Sequence, residues 1–328
     1  MSAFARNRPG GPGAGSRIHQ GLVGARELIG TPYLTDPELR EEYAREIAPR
    51  TSVALTKILT QTYSRTTLSE RPRRLLDLGA GTGVVGATLK TYFGGELDLV
   101  EVDRISASAR ARIADITDVP KLAQLVDVRV PFDLVICAHV LNELFVEQAS
   151  SERLPRLAAL TKTWCETLLG NRGTLILIEP ALRETSRALL GVRDHLLAAG
   201  LHVVAPCFFT GPCPALLRQR DWCHDSAPAG ADRVDFSYLV VRMSGEPSIE
   251  PSLFRIVSDP LPEKGRLRLF GCGATGRHPI VRLDRHAASL NSDLDQLVRG
   301  DVARIVRTTF AQDGLRVVKD TTVARRRS

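Results

Sequence analysis

No stretch of this 328-residue chain approaches the run of about eighteen apolar residues that a membrane-spanning helix needs, so no membrane partner is expected. The first thirty residues lack the apolar core of a secretory signal, which argues against export. Acids are missing altogether from Met1 to Arg26, where Arg6, Arg8, Arg17 and Arg26 stand among many glycines. That stretch, with its surroundings to residue 30, reads as a flexible basic arm or as an organelle transit peptide. No Cys-x-x-Cys pair occurs among the six cysteines, so the commonest structural zinc pattern is absent. The Cys-x-x-x-Cys-x-x-Cys triplet of radical enzymes is absent too, and no second cofactor motif suggests a redox enzyme.

What remains is a chain long enough for about two domains, with 43% hydrophobic residues to build its cores. The net charge is +7, carried mostly by arginine. Such a balance suits a polyanionic partner, although a GC-rich genome produces the same arginine excess without function. Six cysteines without a secretion signal place the chain in a reducing compartment, where clustered thiols serve metals or catalysis more often than disulfides. Cys137 and Cys165 sit alone in apolar contexts and read as core residues.

The most informative stretch runs from Arg74 to Gly83, Arg-Leu-Leu-Asp-Leu-Gly-Ala-Gly-Thr-Gly. Leu75, Leu76 and Leu78 predict a buried strand, Gly79, Gly81 and Gly83 a turn without Cβ atoms, and Val84 to Tyr92 a helix. A second strand, Leu97 to Val102, ends beside Glu101 and Asp103. Backbone N–H groups at a helix start face an adenosine-bearing ligand, and an acid about twenty residues on binds its ribose. Asp103 is the favoured acid. The loop reads Asp-x-Gly-x-Gly-x-Gly, which resembles S-adenosylmethionine-dependent methyltransferases of the doubly wound class. Asp77, Gly79, Gly81, Gly83 and Asp103 are therefore the expected cofactor-binding residues.

Ahead of this motif, Asp36 is placed to cap a helix beginning at Pro37, and a second helix follows Pro49. These helices of residues 31–70 are expected to lie across the front of the sheet, over the cofactor or against substrate, or simply to pack there. Beyond Asp103, Ile105 to Val126 reads as mostly helical and charged, and no third strand is legible. Phe132 to Cys137 predicts the fourth parallel strand, followed by His139-Val140-Leu141-Asn142-Glu143-Leu144 at the carboxyl edge where substrate chemistry sits. Asn142 and Glu143 are the catalytic candidates, with helix capping as the alternative role for Asn142. The Asn- or Asp-Pro-Pro-aromatic run of enzymes that methylate exocyclic base nitrogens is absent, and Cys137 lacks the proline of cytosine-5 enzymes. The acceptor atom is thus not legible. A helix over Ser151 to Leu169, a strand Thr174 to Pro180 closed by Glu179, a helix Arg183 to Ala199 and a strand Leu201 to Ala205 continue the alternation.

At 205–224 the alternation breaks into Ala-Pro-Cys207-Phe-Phe-Thr-Gly-Pro-Cys213-Pro and then Asp-Trp-Cys223-His224, with Cys272 much later in a hairpin-like segment. Spacings of five, nine and forty-eight intervening residues suit one metal centre, and iron–sulfur clusters accept such looseness better than zinc does. Buried free cysteines are the competing reading. After Met243, short runs alternate apolar residues with arginine, as in Arg266-Leu267-Arg268-Leu269 and Ile280-Val281-Arg282-Leu283. They predict a small β appendage over 244–328 with one cationic face for phosphate, extended by Arg325 to Arg327.

The glycine motif, Val140-Leu141-Asn142-Glu143-Leu144, Ile178-Glu179-Pro180, Ala205-Pro206-Cys207, Cys213-Pro214, Asp221-Trp222-Cys223-His224, Phe236-Ser237-Tyr238-Leu239 and Arg299-Gly300-Asp301 together resemble one family. It is the methyltransferase-like family of mitochondrial small-ribosomal-subunit assembly factors and their bacterial relatives. The resemblance runs from about Tyr33 to Val306, with Thr82 where many relatives have proline and a cysteine loop of different length. It implies a 4Fe-4S cluster on Cys207, Cys213, Cys223 and Cys272, with zinc as the alternative. It also implies a class I methyltransferase fold over 71–243 and a partnership with the small ribosomal subunit and its rRNA. The expected function is assembly of that subunit by a protein monomeric off the ribosome; the alternative is an active methyltransferase acting on rRNA or a small molecule. The compartment is the cytoplasm for a bacterial chain, or the mitochondrial matrix if the arm is a transit peptide.

Overall fold

A computed structural model describes residues 16–63, 71–105, 108–244, 250–312 and 314–326. The first strand β1 (Arg74–Leu78) is flanked by β2 (Asp98–Asp103) on one side and β4 (Phe132–Ala138) on the other, all parallel. Beyond them lie β3 (Arg112–Ile113) at one edge and, at the other, β5 (Leu169–Pro180), β8 (Asp232–Arg242) and β6 (His202–Ala205). The order is β3-β2-β1-β4-β5-β8-β6, with β8 antiparallel to β5 and β6, and β7 (Asp225–Ala229) pairs with β8 as a hairpin. This is the doubly wound class I methyltransferase topology. Its strand order reverses between β1 and β4, which opens a crevice at their carboxyl ends.

Alternation along β4 explains how both faces are covered. Leu134, Ile136 and Ala138 pack on one face with Leu55 and Ile58 of α3 (Ala48–Tyr63) and Val85 and Leu89 of α4 (Val84–Phe93). Val135 and Cys137 turn to the other, against α5 (Val119–Val126), α6 (Ser150–Leu168) and α7 (Arg183–Ala198). Both Cys137 and Cys165 lie in that core as free thiols, and burial pushes the Cys165 thiol up to about 12.

In front of the sheet, Asp36 caps α2 (Pro37–Glu46), its Oδ1 accepting from the N–H of Glu38 at 2.9 Å. Residues 1–15 of the expected arm lie outside the described residues. The rest of it is packed: α1 (Arg17–His19) runs into a π turn over Gln20–Gly24, and Ile18 and Leu22 are buried against Leu39 and Tyr43. Arginines there do not imply mobility, because two apolar side chains four residues apart suffice to seat the turn on α2. The third strand is only two residues long and exposed, so it carries no hydrophobic signature; of the helix expected around it, only α5 forms among the described residues.

Residues 253–326 form a second eight-stranded sheet around its own core of Phe254, Ile256, Leu269, Ile280, Leu315 and Val323 among others. Its order is β14 (Thr309–Ala311), β15 (Gly314–Val317), β12 (Gly276–Leu283), β11 (Arg266–Gly273), β9 (Leu253–Ile256), β13 (Val302–Val306) and β16 (Thr322–Arg326). Strand β10 (Leu261–Glu263) pairs with β11. No helix among the described residues is long and apolar enough to cross a membrane.

Candidate functional site

The glycine loop leaves β1 with positive φ at Gly79, Gly81 and Gly83. A Cβ on Gly79 would stand 2.3 Å from Val140, so only glycine lets the loop pass the end of β4. The N–H groups of Gly79 and Ala80 bond back to the Val102 carbonyl, at 2.8 and 3.0 Å. Asp103 then fixes the tip: its Oδ2 accepts from the Gly81 N–H at 2.7 Å and its Oδ1 from the Ile105 N–H at 2.9 Å.

An open cleft of about 290 Å³ lies against this loop. Gly79, Gly81 and Asp103 line it; Gly83, which opens α4, and Asp77 do not. Asp77 sits behind the loop, fully buried, with neither carboxylate oxygen hydrogen-bonded. Burial, with Glu101 and Asp103 close by, holds its pKa well above the usual carboxylate range. Glu101 packs under the loop, where a Cβ on Gly86 would come within 2.3 Å of its carboxylate.

Across the cleft stand Gly30, Thr31, Tyr33 and Leu34 from the front segment and Tyr43 from α2. The Tyr33 hydroxyl donates to Glu143 Oε1 at 3.1 Å. Burial pushes Glu143 up to about 7, against the lowering effects of that bond and of Arg104. His139 lines the same wall with φ 61°, and burial lowers its pKa to about 4. Of the two catalytic candidates, only Glu143 faces the cleft. The 3-10 turn Leu141–Glu143 directs Asn142 elsewhere: its Nδ2 donates to the His139 carbonyl at 2.9 Å and its Oδ1 accepts from Arg26 at 3.4 Å. Arg153 clamps the turn through the Leu141, Asn142 and Leu144 carbonyls, at 3.0, 2.9 and 2.8 Å. Asn142 lines a small cavity with Glu179, whose carboxyl burial pushes up to about 8. The roles of Tyr33 and Glu179 were not visible in the sequence beyond the expectation that the front segment covers the cleft.

The cysteine loop has little regular structure, so its carbonyls need outside donors. Two arginines of α7 supply them. Arg187 donates to the carbonyls of Ala215, Arg218 and Asp221, at 3.1, 2.9 and 2.7 Å. Arg193, 1% exposed, donates to those of Gly211, at 2.8 Å, and Phe209, and pairs with Asp194. Asp194 in turn accepts from the Cys213 N–H at 2.9 Å. Cys272 comes from the β11–β12 hairpin, whose Arg277 reaches Asp221 of the loop at 3.4 Å.

All four cysteines are free, and the other three lie close enough to act on the Cys272 thiol. Burial first, then Cys207, Cys223 and Cys213, push the Cys272 thiol up to about 12; burial and Cys207 raise Cys213 to about 12 as well. Arg255 of β9 donates to the Cys223 sulfur at 3.5 Å. Among the described residues, no three His, Cys, Asp or Glu side chains are grouped closely enough to hold a metal ion. His224 stacks on Trp222, and His278 bonds to Thr275 at the hairpin turn.

The arginine face expected on the C-terminal strands is largely spent on internal partners. Arg282 is buried and pairs with Asp295 and Asn291, Arg266 and Arg268 pair with Glu263, and Arg255 is buried on Asp225. Alternation in sequence did not separate a solvated face from one that meets acids across the fold. Arg327 lies outside the described residues.

The family described as mitochondrial small ribosomal subunit Rsm22 matches residues 40–277. No curated protein matches the chain. Among solved structures, the plantazolicin methyltransferase BpumL with bound SAH is 13% identical over 70% of this chain and 100% of that one, at a TM-score of 0.40. The same enzyme with a pentazolic analogue and SAH is 15% identical over 49% and 60%, at 0.32. TrmN from Thermus thermophilus is 16% identical over 60% and 52%, at 0.34. In these last two comparisons the chain thus spans between half and three fifths of the other protein.

Proposed function

The chain belongs to the Rsm22 family, and from that premise we propose that it is a methyltransferase-like assembly factor of the small ribosomal subunit which binds S-adenosylmethionine, rRNA and a cysteine-held metal centre. The observation that carries the reading is the span of the family match, which takes in the glycine loop, Asp103 and all four clustered cysteines. The cleft fits the cofactor. Gly79, Gly81 and Asp103 line it, Val140 leaves no room for a Cβ at Gly79, and the Asp103 carboxylate stands at the end of β2 where a ribose acid is needed. Gly79, Gly81 and Gly83 shape the loop, with Asp103 as the ribose acid. The cofactor, when bound, supplies an electrophilic methyl group.

For the metal centre the donor chemistry fits while the placement is incomplete. Cys207, Cys213, Cys223 and Cys272 share one neighbourhood, and the buried guanidinium groups of Arg193 and Arg255 would offset the charge of four thiolates. A 4Fe-4S cluster, with its large core, suits this loose arrangement better than zinc. The compartment is the one in which the subunit is assembled, the mitochondrial matrix for a mitochondrial chain.

A second reading, active methyl transfer to rRNA or a small molecule, is favoured by Glu143. A carboxyl near pKa 7 on the cleft wall is matched to taking a proton from an acceptor at neutral pH. Three measurements test the function. The protein is expected to co-sediment with small ribosomal subunits at moderate salt, and anaerobically purified protein to contain iron and acid-labile sulfide. Asp103→Ala is expected to weaken calorimetric S-adenosylmethionine binding about tenfold or more, since a charge-assisted hydrogen bond contributes about 1.5 to 3 kcal/mol. Absence of cofactor affinity in the unaltered protein would leave the cleft vestigial.

A further inference from the structure

Between the two sheets runs a groove of about 1120 Å³, larger than the roughly 300 to 1,000 Å³ of most small-molecule pockets. One wall is built from α3, β7 and the start of the cysteine loop, the other from β16 and the turn Val298–Val302 entering β13. Six cationic side chains line it, Lys57, Arg233, Arg255, Arg299, Arg325 and Arg326, against three aspartates, Asp232, Asp259 and Asp301.

These cations divide into two groups. Lys57 and Arg255 are committed to the buried Asp225, at 2.9 and 3.1 Å, and fix the floor. Of the others, Arg233 pairs with Asp259 at 3.1 Å and Arg325 with the 13% exposed Asp301 at 2.8 Å, while Arg299, 14% exposed, donates to the Val257 carbonyl at 2.6 Å and stands 3.9 Å from Asp259. The side chains of Arg233, Asp259 and Arg325 are 44%, 45% and 44% exposed. An exposed pair such as Arg233 with Asp259 contributes little to stability, so a phosphate can take the carboxylate's place at small cost. Guanidinium binds phosphate in the same forked geometry. Half-buried Phe208 adds an aromatic ring to the lining.

We propose that this groove binds single-stranded RNA, with backbone phosphates along Arg233, Arg325 and Arg326 and a base stacked on Phe208. The proposal rests on the rRNA reading above and locates it. An acidic peptide would meet the arginines equally well but would leave Phe208 without a stacking partner.

The test uses the full chain and a fluorescein-labelled oligouridine of about twelve nucleotides, a length within the span of single-strand binding sites. Anisotropy is followed over a salt series. Arg233→Glu with Arg326→Glu is expected to weaken binding at least tenfold and to lower the log–log salt slope by about 1.4, at about 0.7 for each lost phosphate contact. Arg110→Glu with Arg129→Glu, the same charge change at exposed positions outside the groove, is expected to stay within about threefold. Phe208→Ala removes no charge and is expected to weaken binding several-fold at unchanged slope, with thermal melts confirming that each variant is folded. Equal losses from the two double variants, or competition by polyglutamate as effective as by unlabelled oligouridine, would overturn the groove assignment. If the groove variants bind oligouridine unchanged and the protein still co-sediments with subunits, the groove is wrong and the rRNA reading stands. If the unaltered protein binds neither, both fail.

Discussion

Glu179 is the penultimate residue of β5 and 2% exposed, where an ionised carboxyl would lose its water without gaining an ion pair among the described residues. Burial therefore raises its pKa from 4.5 to about 8, and that of Glu143 from 4.5 to about 7. For a carboxyl raised in this way the folded state holds a proton that the unfolded state has lost. Stability then falls as pH rises from about 4.5 towards 8, the native pKa, and levels off above it. Glu179→Gln removes the larger of the two contributions. Thermal melts from about pH 5 to 9 should show a markedly flatter decline for the variant, with a gain of order 3 to 5 kcal/mol at the alkaline end. Parallel curves for the two proteins would mean that Glu179 is not the buried acid responsible. The same residues show what a sequence does and does not disclose. Gly79, Gly81 and Asp103 were legible because strand, turn and acid lie within thirty residues and interact locally. Which of Asn142 and Glu143 faces the cleft was not, because Arg26, 116 residues from Asn142, and the carbonyl clamp of Arg153 set the orientation of the turn and neither contact leaves a sequence pattern.

Among elements, legibility followed hydrophobic content. β1, β2, β4, α6 and α7 were readable to within a few residues because each buries a continuous face, and β5 at its carboxyl end, whereas β3 buries nothing and β7 reads as a polar loop, Asp-Ser-Ala-Pro-Ala. The cysteine loop was legible as irregular, but its mould was not. The donors that hold its carbonyls, Arg187 and Arg193, look in sequence like any arginines of an amphipathic helix. The Arg299-Gly300-Asp301 turn is a similar case. Gly300 has φ 88°, and a Cβ there would lie 1.8 Å from Asp225 Oδ1 and 2.6 Å from Lys57 Nζ. Gly300→Ala must therefore push apart the contact between the turn and β7. We expect a loss of at least about 2 kcal/mol in thermal or denaturant unfolding. Gly230→Ala is the control: its φ is 64°, but nothing lies within 4 Å of the added Cβ, so only the backbone cost of about 1 kcal/mol should appear. Equal losses would show that Gly300 is needed for its backbone angle and not for its neighbours.

At the scale of the molecule, the question is what keeps the second sheet against the first. The metal centre proposed on three loop cysteines and Cys272 would be one clamp. Asp225 is another, standing fully buried at the start of β7 between Lys57 of α3 and Arg255 of β9. Burial raises its pKa, but the two cations outweigh that and leave the carboxyl below its usual range. Removing one partner of such a buried set leaves an uncompensated charge and costs about 3 to 5 kcal/mol. The clamps meet at Arg255, which touches both Asp225 and the Cys223 sulfur, so they should be coupled, not additive. Hydrogen exchange on anaerobic protein can separate them. Cys272→Ser should lower iron content and speed exchange in β11, β12 and the cysteine loop, while the amides of β1 and β4 stay protected and cofactor binding persists. Asp225→Ala should speed exchange in β7, β9 and β13 with iron retained. In the double variant, exchange across the whole second sheet should exceed the sum of the two single effects, because each clamp limits the opening that the other permits. Should Cys272→Ser alone release the second sheet as fully as the double variant does, the metal centre is the sole clamp and the Asp225 set only fills the interface; should it change neither iron nor exchange, the thiols are structural and Asp225 holds the sheets by itself.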